Sequence, residues 1–240
     1  MPSENVENYL KSIYTLQNKE GRVTTSSLSA RLQVSAASVS EMIKKLADEG
    51  SVHHTPYKGV ALTEEGRKRA IRIVRRHRLW EVFLVEVLKY EWDEIHEEAE
   101  RLEHITSDKL EERLDAALGY PTKDPHGDVI PTRAGKVTQF GHSSLGSLNV
   151  GEQCVVSRVS DASPDVLKYA SKLGITLRKK IHIREKLEFD GSLRVEVDGM
   201  EHFISGKLAQ HIFVEPVTDE RGRRAKSLKN VRTISRGKST

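Results

Sequence analysis

A change of hydrophobic period near the middle of the chain limits its fold more than any other feature. Up to Leu118 the apolar residues recur at helical spacing, whereas from Leu148 to Pro216 they alternate in short runs. A period of 3.6 calls for amphipathic helices and a period of 2 for strands. Residues 119–147, rich in Pro, Gly, Thr, Ser and His, lie between the two regions and read as a linker. The runs Gln153–Val159, Lys180–Phe189, Leu193–Val197, His202–Ile204 and Ile212–Val214, interrupted by one helix over Asp165–Leu173, predict a small β-barrel-like module.

The N-terminal third has a more particular order. An amphipathic helix over residues 4–18 carries Val6, Tyr9, Leu10, Ile13, Tyr14 and Leu16, and Gly21 ends it. A short helix over Ser26–Leu32 follows, then the turn Gln33-Val34-Ser35 and a helix over Ala36–Glu49 with the stripe Val39, Met42, Ile43 and Leu46. Two short strands within residues 51–62 meet at a Pro56-Tyr57-Lys58-Gly59 turn. Helix, tight turn, helix and hairpin make a winged helix-turn-helix, a DNA-binding arrangement. Small hydroxyl residues on the second of these helices allow close approach to bases and phosphates. The candidate DNA-contacting set is Ser35, Ala37, Ser38, Ser40, Glu41, Lys44 and Lys45, with Lys58 at the wing tip. A long helix over Glu64–Tyr90, capped at Thr63, adds Arg67, Lys68, Arg69, Arg72, Arg75, Arg76 and Arg78, some of which can reach phosphates. A helical bundle with a solvated basic face is the alternative this pattern leaves open.

Two further helices are expected, one from after Trp92 to His104 or Thr106 and one over Asp108–Leu118. On the first, His96, Glu100, Glu103 and His104 project from one face; His77 and Glu81 repeat the i, i+4 spacing on the helix before it. Imidazoles and carboxylates presented by two helices suit Mn(II), Fe(II), Co(II), Ni(II) or Zn(II) rather than Cu(I) or an iron–sulfur cluster. The competing explanation is an ordinary solvated, charged face. The remaining histidines, His53, His54, His126, His142, His182, His202 and His211, have no partner at ligand spacing and read as loop, wing or surface residues.

Bulk properties narrow the class. The chain has 240 residues, 31% of them charged and 5% aromatic, with no apolar run long enough for a bilayer. The start, Met1 to Asn8, lacks a basic segment and an apolar core, so no signal peptide and a cytoplasmic location are expected. A single cysteine, Cys154, excludes an internal disulfide or a cysteine-built zinc site. The net charge of +4 is set by the end of the chain: residues 217–240 carry +6 and residues 1–216 carry −2. Such a basic tail is expected to be disordered and solvated, or to touch nucleic acid.

Several stretches together resemble the diphtheria-toxin-repressor/manganese-transport-regulator family of metal-activated bacterial transcription factors, over residues 5 to about 215. They are Glu7-Asn8-Tyr9-Leu10-Lys11-Ser12-Ile13-Tyr14, Val34-Ser35-Ala36-Ala37-Ser38-Val39-Ser40, Arg76-His77-Arg78-Leu79-Trp80-Glu81, His96 to Glu100, Glu103-His104, Asp124-Pro125-His126-Gly127 and Ile130-Pro131. The resemblance implies a winged helix-turn-helix DNA-binding domain (1–63), a helical metal-binding and dimerisation domain (64–120), a linker (121–147), an SH3-like, FeoA-type β-barrel domain (148–216) and a basic tail (217–240). It also implies two neighbouring metal sites. Glu100, Glu103 and His104 match the activating site, completed at the position of Asn8. His77, Glu81 and His96 match the ancillary site, with Asp161 as the nearest match to a ligand from the SH3-like domain. Iron-type members have Cys where this chain has Glu100, which points to Mn(II), with Fe(II), Co(II), Ni(II), Zn(II) or Cd(II) as ions the sites could take in vitro. Manganese-type members carry Asp at Asn8, and Lys11 replaces an acidic residue used by some two-domain members.

The expected function is a metal-activated repressor of metal-uptake genes that binds palindromic double-stranded DNA as a homodimer. Its apolar stripe of Leu79, Val82, Phe83, Leu102, Ile105, Leu110 and Leu114 would form the dimer interface. An Fe(II)-responsive regulator of the same family is the alternative. A metalloenzyme is disfavoured, since no second Glu-x-x-His set, His-Glu-x-x-His motif, phosphate loop or nucleophile elbow is found. A constitutive DNA-binding protein with a structural His/Glu face is the other rival.

Overall fold

The computed structural model describes residues 3–55, 59–138, 143–161 and 163–217. Two compact units divide the chain, residues 1–140 and 141–240. The first unit is helical with one hairpin and the second is built on a sheet.

In the first unit α1 (Glu4–Glu20) buries Val6, Tyr9, Leu10, Ile13 and Leu16 along one stripe. Thr24 and Ser27 exchange side-chain and backbone hydrogen bonds in a capping box that starts α2 (Thr25–Leu32). Gln33 turns the chain in the left-handed region (φ 54°). Ser35 accepts from the Ser38 amide and starts α3 (Ala36–Asp48), which buries Val39, Ile43 and Leu46 against α1 and α2. Strands β1 (Val52–Thr55) and β2 (Gly59–Leu62) pair antiparallel, and Val60 also donates to the Val23 carbonyl. This is the winged helix-turn-helix expected from the sequence.

Helix α4 (Glu64–Glu86) is capped by Thr63, whose hydroxyl accepts from the Gly66 amide. Gly66 is required by space: a Cβ there would lie 1.9 Å from the Ser51 carbonyl oxygen. The helix stops at Glu86 rather than Tyr90, because Leu88 donates to Phe83 and Tyr90 to Leu84 while Lys89 turns left-handed (φ 62°). Helix α5 (Ile95–Ile105) and α6 (Asp108–Ala117) pack on α4.

The stretch expected to be a linker is only partly one. Residues 122–131 form a tight turn seated on α4: Ile130 donates to Thr122, Asp124 and Asp128 are joined through their backbones, and Ile130 is buried with Leu79, Val82 and Leu114. Arg78 donates to the Val129 carbonyl at 2.5 Å and Arg75 to that of Pro131 at 2.7 Å. Composition showed the turn residues, but only tertiary structure supplies these donors.

The second unit holds one six-stranded antiparallel sheet in the order β3-β8-β4-β5-β6-β7. The strands are β3 (Ser143–Ser144), β4 (Gln153–Val159), β5 (Lys180–Lys186), β6 (Leu193–Val197), β7 (Met200–Ile204) and β8 (Ile212–Pro216). Register shifts in β4 and β5 bend the sheet around a core of Val156, Ile181, Ile183, Val195 and Val214, giving the SH3-like fold. Helix α7 (Pro164–Lys172) follows β4, and the unexpected α8 (Gly206–His211) starts at a Ser205 cap. The strand expected to reach Phe189 stops at Lys186, where Leu187 pairs with Ser192 in a turn that leaves Phe189 fully exposed. No helix among the described residues is long and apolar enough to cross a membrane.

Candidate metal centre

The metal-type side chains meet where α1 crosses α4 and α5. Glu103, fully buried on α5, faces Lys11 from α1 and His77 from α4. Lys11 Nζ donates to Glu100 Oε2 at 2.9 Å and to both Glu103 oxygens at 2.9 and 2.8 Å, and lies 3.1 Å from His77 Nδ1. His104 Nδ1 is 2.6 Å from Glu7 Oε2, while its Nε2 stays buried without a hydrogen bond, 3.5 Å from Glu103 Oε1. Donor atoms of Glu100, Glu103 and His104 all fall within 4.8 Å of one another. A carboxylate that holds one imidazole nitrogen and leaves the other aimed into a site is the usual way to orient a metal-binding histidine.

A second cluster adjoins the first through His77, whose two ring nitrogens face different groups. Glu81 Oε1 is fully buried, and three imidazole nitrogens surround it: His77 Nε2 at 3.1 Å, His96 Nδ1 at 3.7 Å and His126 Nδ1 at 3.8 Å. None of these approaches has hydrogen-bond alignment with that oxygen. Ligands about 2.1 Å from a shared ion stand roughly 3.0–3.4 Å apart, close to this spacing. His126, expected as a loop, wing or surface residue, lies in a turn but is completely buried; its Nε2 donates to the Trp92 carbonyl at 2.7 Å, so in the neutral ring Nδ1 carries the lone pair. Asp124 stands within the same group, its Oδ1 accepting from the His126 and Asp128 amides.

The electrostatics follow from burial set against ion pairing. Burial depresses the pKa of His77 and so does the Lys11 ammonium, but the Glu81 and Glu103 carboxylates outweigh both and raise it from 6.5 to about 9. Burial raises Glu81, yet the facing imidazoles hold it well below the usual carboxylate range. Glu100 is likewise lowered, against its burial, chiefly by Lys11. His104 is raised, against its burial, by Glu7 and Glu103. The clusters therefore carry protons and an ammonium in the places where positive charge is stabilised.

The unsatisfied atoms test whether a metal fits. Asn8 Oδ1, Glu81 Oε1, His104 Nε2 and His126 Nδ1 are buried without hydrogen-bond partners. Buried polar atoms are otherwise almost always paired. All four are oxygen or nitrogen donors, so the residues present fit a divalent ion.

The other expected site residues are placed as follows. Asn8 lies beside Glu7 on α1, and Asp161 follows β4 in the second unit. Ser35, Ala37, Ser38, Ser40, Glu41, Lys44 and Lys45 are all exposed on α3 or at its start. Ser35 and Ser38 share a hydrogen bond of 2.9 Å, and Ser40 donates to the Ala36 carbonyl, so these hydroxyls are partly engaged. Lys58, His142 and the tail from residue 218 lie outside the described residues. The arginines of α4 are mostly spent inside the unit. Arg72 and Arg76 pair with Asp108, Arg75 is buried on Glu111 and Asp115, and Arg78 reaches Asp124 and Asp128, while Arg67 and Lys68 remain exposed. The expected dimer stripe divides in the same way: Leu79, Val82 and Leu114 are buried in the core, whereas Ile105 and Leu110 are exposed, as are Val87 and Leu88.

Comparison with known proteins agrees with this geometry. Residues 1–60 match the iron dependent repressor N-terminal DNA binding domain, residues 63–132 the iron dependent repressor metal binding and dimerisation domain, and residues 143–216 the FeoA domain. The chain is 36% identical to the iron-dependent repressor IdeR of Mycobacterium tuberculosis over 128 residues, 53% of this chain and 56% of that protein, so the match spans little more than half of that relative's length. A solved manganese-dependent transcriptional repressor in complex with manganese is 43% identical, with a TM-score of 0.82, covering 87% of this chain and 98% of its own. The repressor ScaR with bound Cd2+ is 37% identical, with a TM-score of 0.76, covering 90% of this chain and 100% of its own.

Proposed function

The chain belongs to the iron-dependent-repressor family, and from that premise we propose that it is a metal-activated transcriptional repressor, with Mn(II) as activating ion and palindromic DNA as partner. The observation that carries the reading is the convergence of α1, which is part of the winged helix-turn-helix core, on the His/Glu faces of α4 and α5.

Two metal sites are proposed. Glu100, Glu103, His104 and Asn8 form one, with Glu7 orienting His104. Glu81, His126 and Asp124 form the core of the other, with His77 and His96 beside them. A divalent ion supplies concentrated positive charge between carboxylates that α5 brings to α1. Glu103 and Glu100 would neutralise it and His104 would offer its Nε2 lone pair, while Glu7 accepts the hydrogen bond from Nδ1–H that fixes that tautomer. The absence of thiolate and thioether donors from the set supports Mn(II) over softer ions.

The functional consequence is mechanical. Joining α1 to α5 fixes the DNA-binding domain on the helical domain. In a dimer this fixes the separation of the two α3 helices, which must sit about one DNA turn (roughly 34 Å) apart to read a palindrome. An ion can favour that state only by binding it more tightly than the loose one. Exposed Ile105, Leu110, Val87 and Leu88 are the apolar surface available for dimerisation. Cytoplasmic action on DNA follows from the same reading. The test is a gel shift with promoter DNA in Mn(II) and in EDTA. Metal-dependent retention is expected, and equal affinity under both conditions would overturn the activation claim.

A further inference from the structure

Lys11 stands in the place that the proposed ion's charge would take. Its Nζ donates to three carboxylate oxygens within 2.9 Å, both of Glu103 and one of Glu100, and lies 3.1 Å from His77 Nδ1. An ammonium has three N–H donors, so its hydrogen bonding is spent entirely inside the cluster. The side chain is 12% exposed, and Glu103 is fully buried. One of the two negative charges on Glu100 and Glu103 is thus already balanced by a cation belonging to the chain.

Charge balance makes the two cations alternatives. A divalent ion held by Glu100 and Glu103 is neutralised by them if the ammonium leaves. If the ammonium stays, it and the ion together bring three positive charges to the two carboxylates that would ligate the ion. Each Lys11 hydrogen bond also uses a carboxylate lone pair that faces the cluster. Resting on the metal reading given above, we propose that Lys11 is a built-in competitor for the Glu100–Glu103–His104 site. Its ammonium holds both carboxylates in the metal-free chain and swings out when a divalent ion enters. The residue therefore sets the ion concentration at which the site fills. The flexible four-carbon stem and its partly exposed position give the amine a route to water.

Two measurements on the full chain test this. The first is Mn(II) binding by calorimetry to the wild type and to Lys11→Met. A like charge within 4–6 Å changes the affinity for a proton by roughly tenfold to thousandfold. Lys11→Met is therefore expected to bind Mn(II) at least about tenfold more tightly, with unchanged stoichiometry. Unchanged or weaker binding would mean that Lys11 is only a staple between α1 and α5. The second uses the wild type alone, so it stands even where the variant fails to fold. Amine acylation read by mass spectrometry is expected to label Lys11 weakly in EDTA and strongly at saturating Mn(II), and equal labelling overturns the proposal. If the wild type binds Mn(II) but either result fails, only this inference falls. If neither protein binds Mn(II), the metal reading falls with it.

Discussion

Raising the pH through the titration of His77 should remove a definable part of the stability of the metal-free first unit. The imidazole has an ordinary pKa of 6.5 and is held at about 9 in the fold. Because the folded state binds this proton more tightly, the stabilisation is complete below pH 6.5, where both states are protonated. It declines as pH rises from 6.5 and is gone above about 9. The side chain is 6% exposed, so solvent screening takes little from the interaction. At about 1.4 kcal/mol per tenfold change in proton affinity, the difference amounts to about 3 kcal/mol. For a unit of this size that corresponds to a fall in Tm of roughly 10 °C. The assay is thermal unfolding by circular dichroism in EDTA, from about pH 6 to about pH 9.5, on the wild type and His77→Gln. A wild-type Tm that stays level across that window, or an equal decline in His77→Gln, would refute the assignment. With Mn(II) present the sign reverses. Ligand imidazoles must be deprotonated to bind metal, so the stabilisation that Mn(II) gives should grow with pH over the same range.

Other perturbations give separable outcomes. Gly66→Ala forces a Cβ to 1.9 Å from the Ser51 carbonyl oxygen and should cost about 3 kcal/mol, seen as a lower denaturant midpoint; an unchanged midpoint would contradict the close seating of α4 on the hairpin. Ser35→Ala removes the cap of α3 and should cost about 1 kcal/mol in the same assay while weakening promoter retention on gels. Arg75→Met strands Asp115, leaves Glu111 with Arg76 alone and releases the Pro131 carbonyl, with an expected loss of about 3 kcal/mol; a neutral effect would show the network to be dispensable. His126→Gln should weaken one of two Mn(II) binding events by at least about tenfold in calorimetry, and two unaltered events would remove His126 from the site.

Local rules determine much of this protein. The spacing of Val6, Leu10 and Ile13, the serine and threonine caps at Thr24, Ser35 and Thr63, and the alternation in β4 and β6 depend on neighbours a few residues away. The i, i+4 pairs His77/Glu81 and Glu100/His104 were legible for the same reason, since helical geometry places them on one face. Three features were decided only in three dimensions. Glu7 and Lys11 join the cluster because α1 and α5 both pack on α4, and the pairs they make span 97 and 92 residues. His126 is buried beside Glu81 because Arg75 and Arg78 hold its turn to α4, although composition alone marks that stretch as linker. Arg75 and Arg76 of α4 face inward for a related reason: Glu111 and Asp115 meet them from α6. Periodicity and caps encode which residues share a face, but which faces meet depends on packing between distant segments, and it is there that buried charges find their partners.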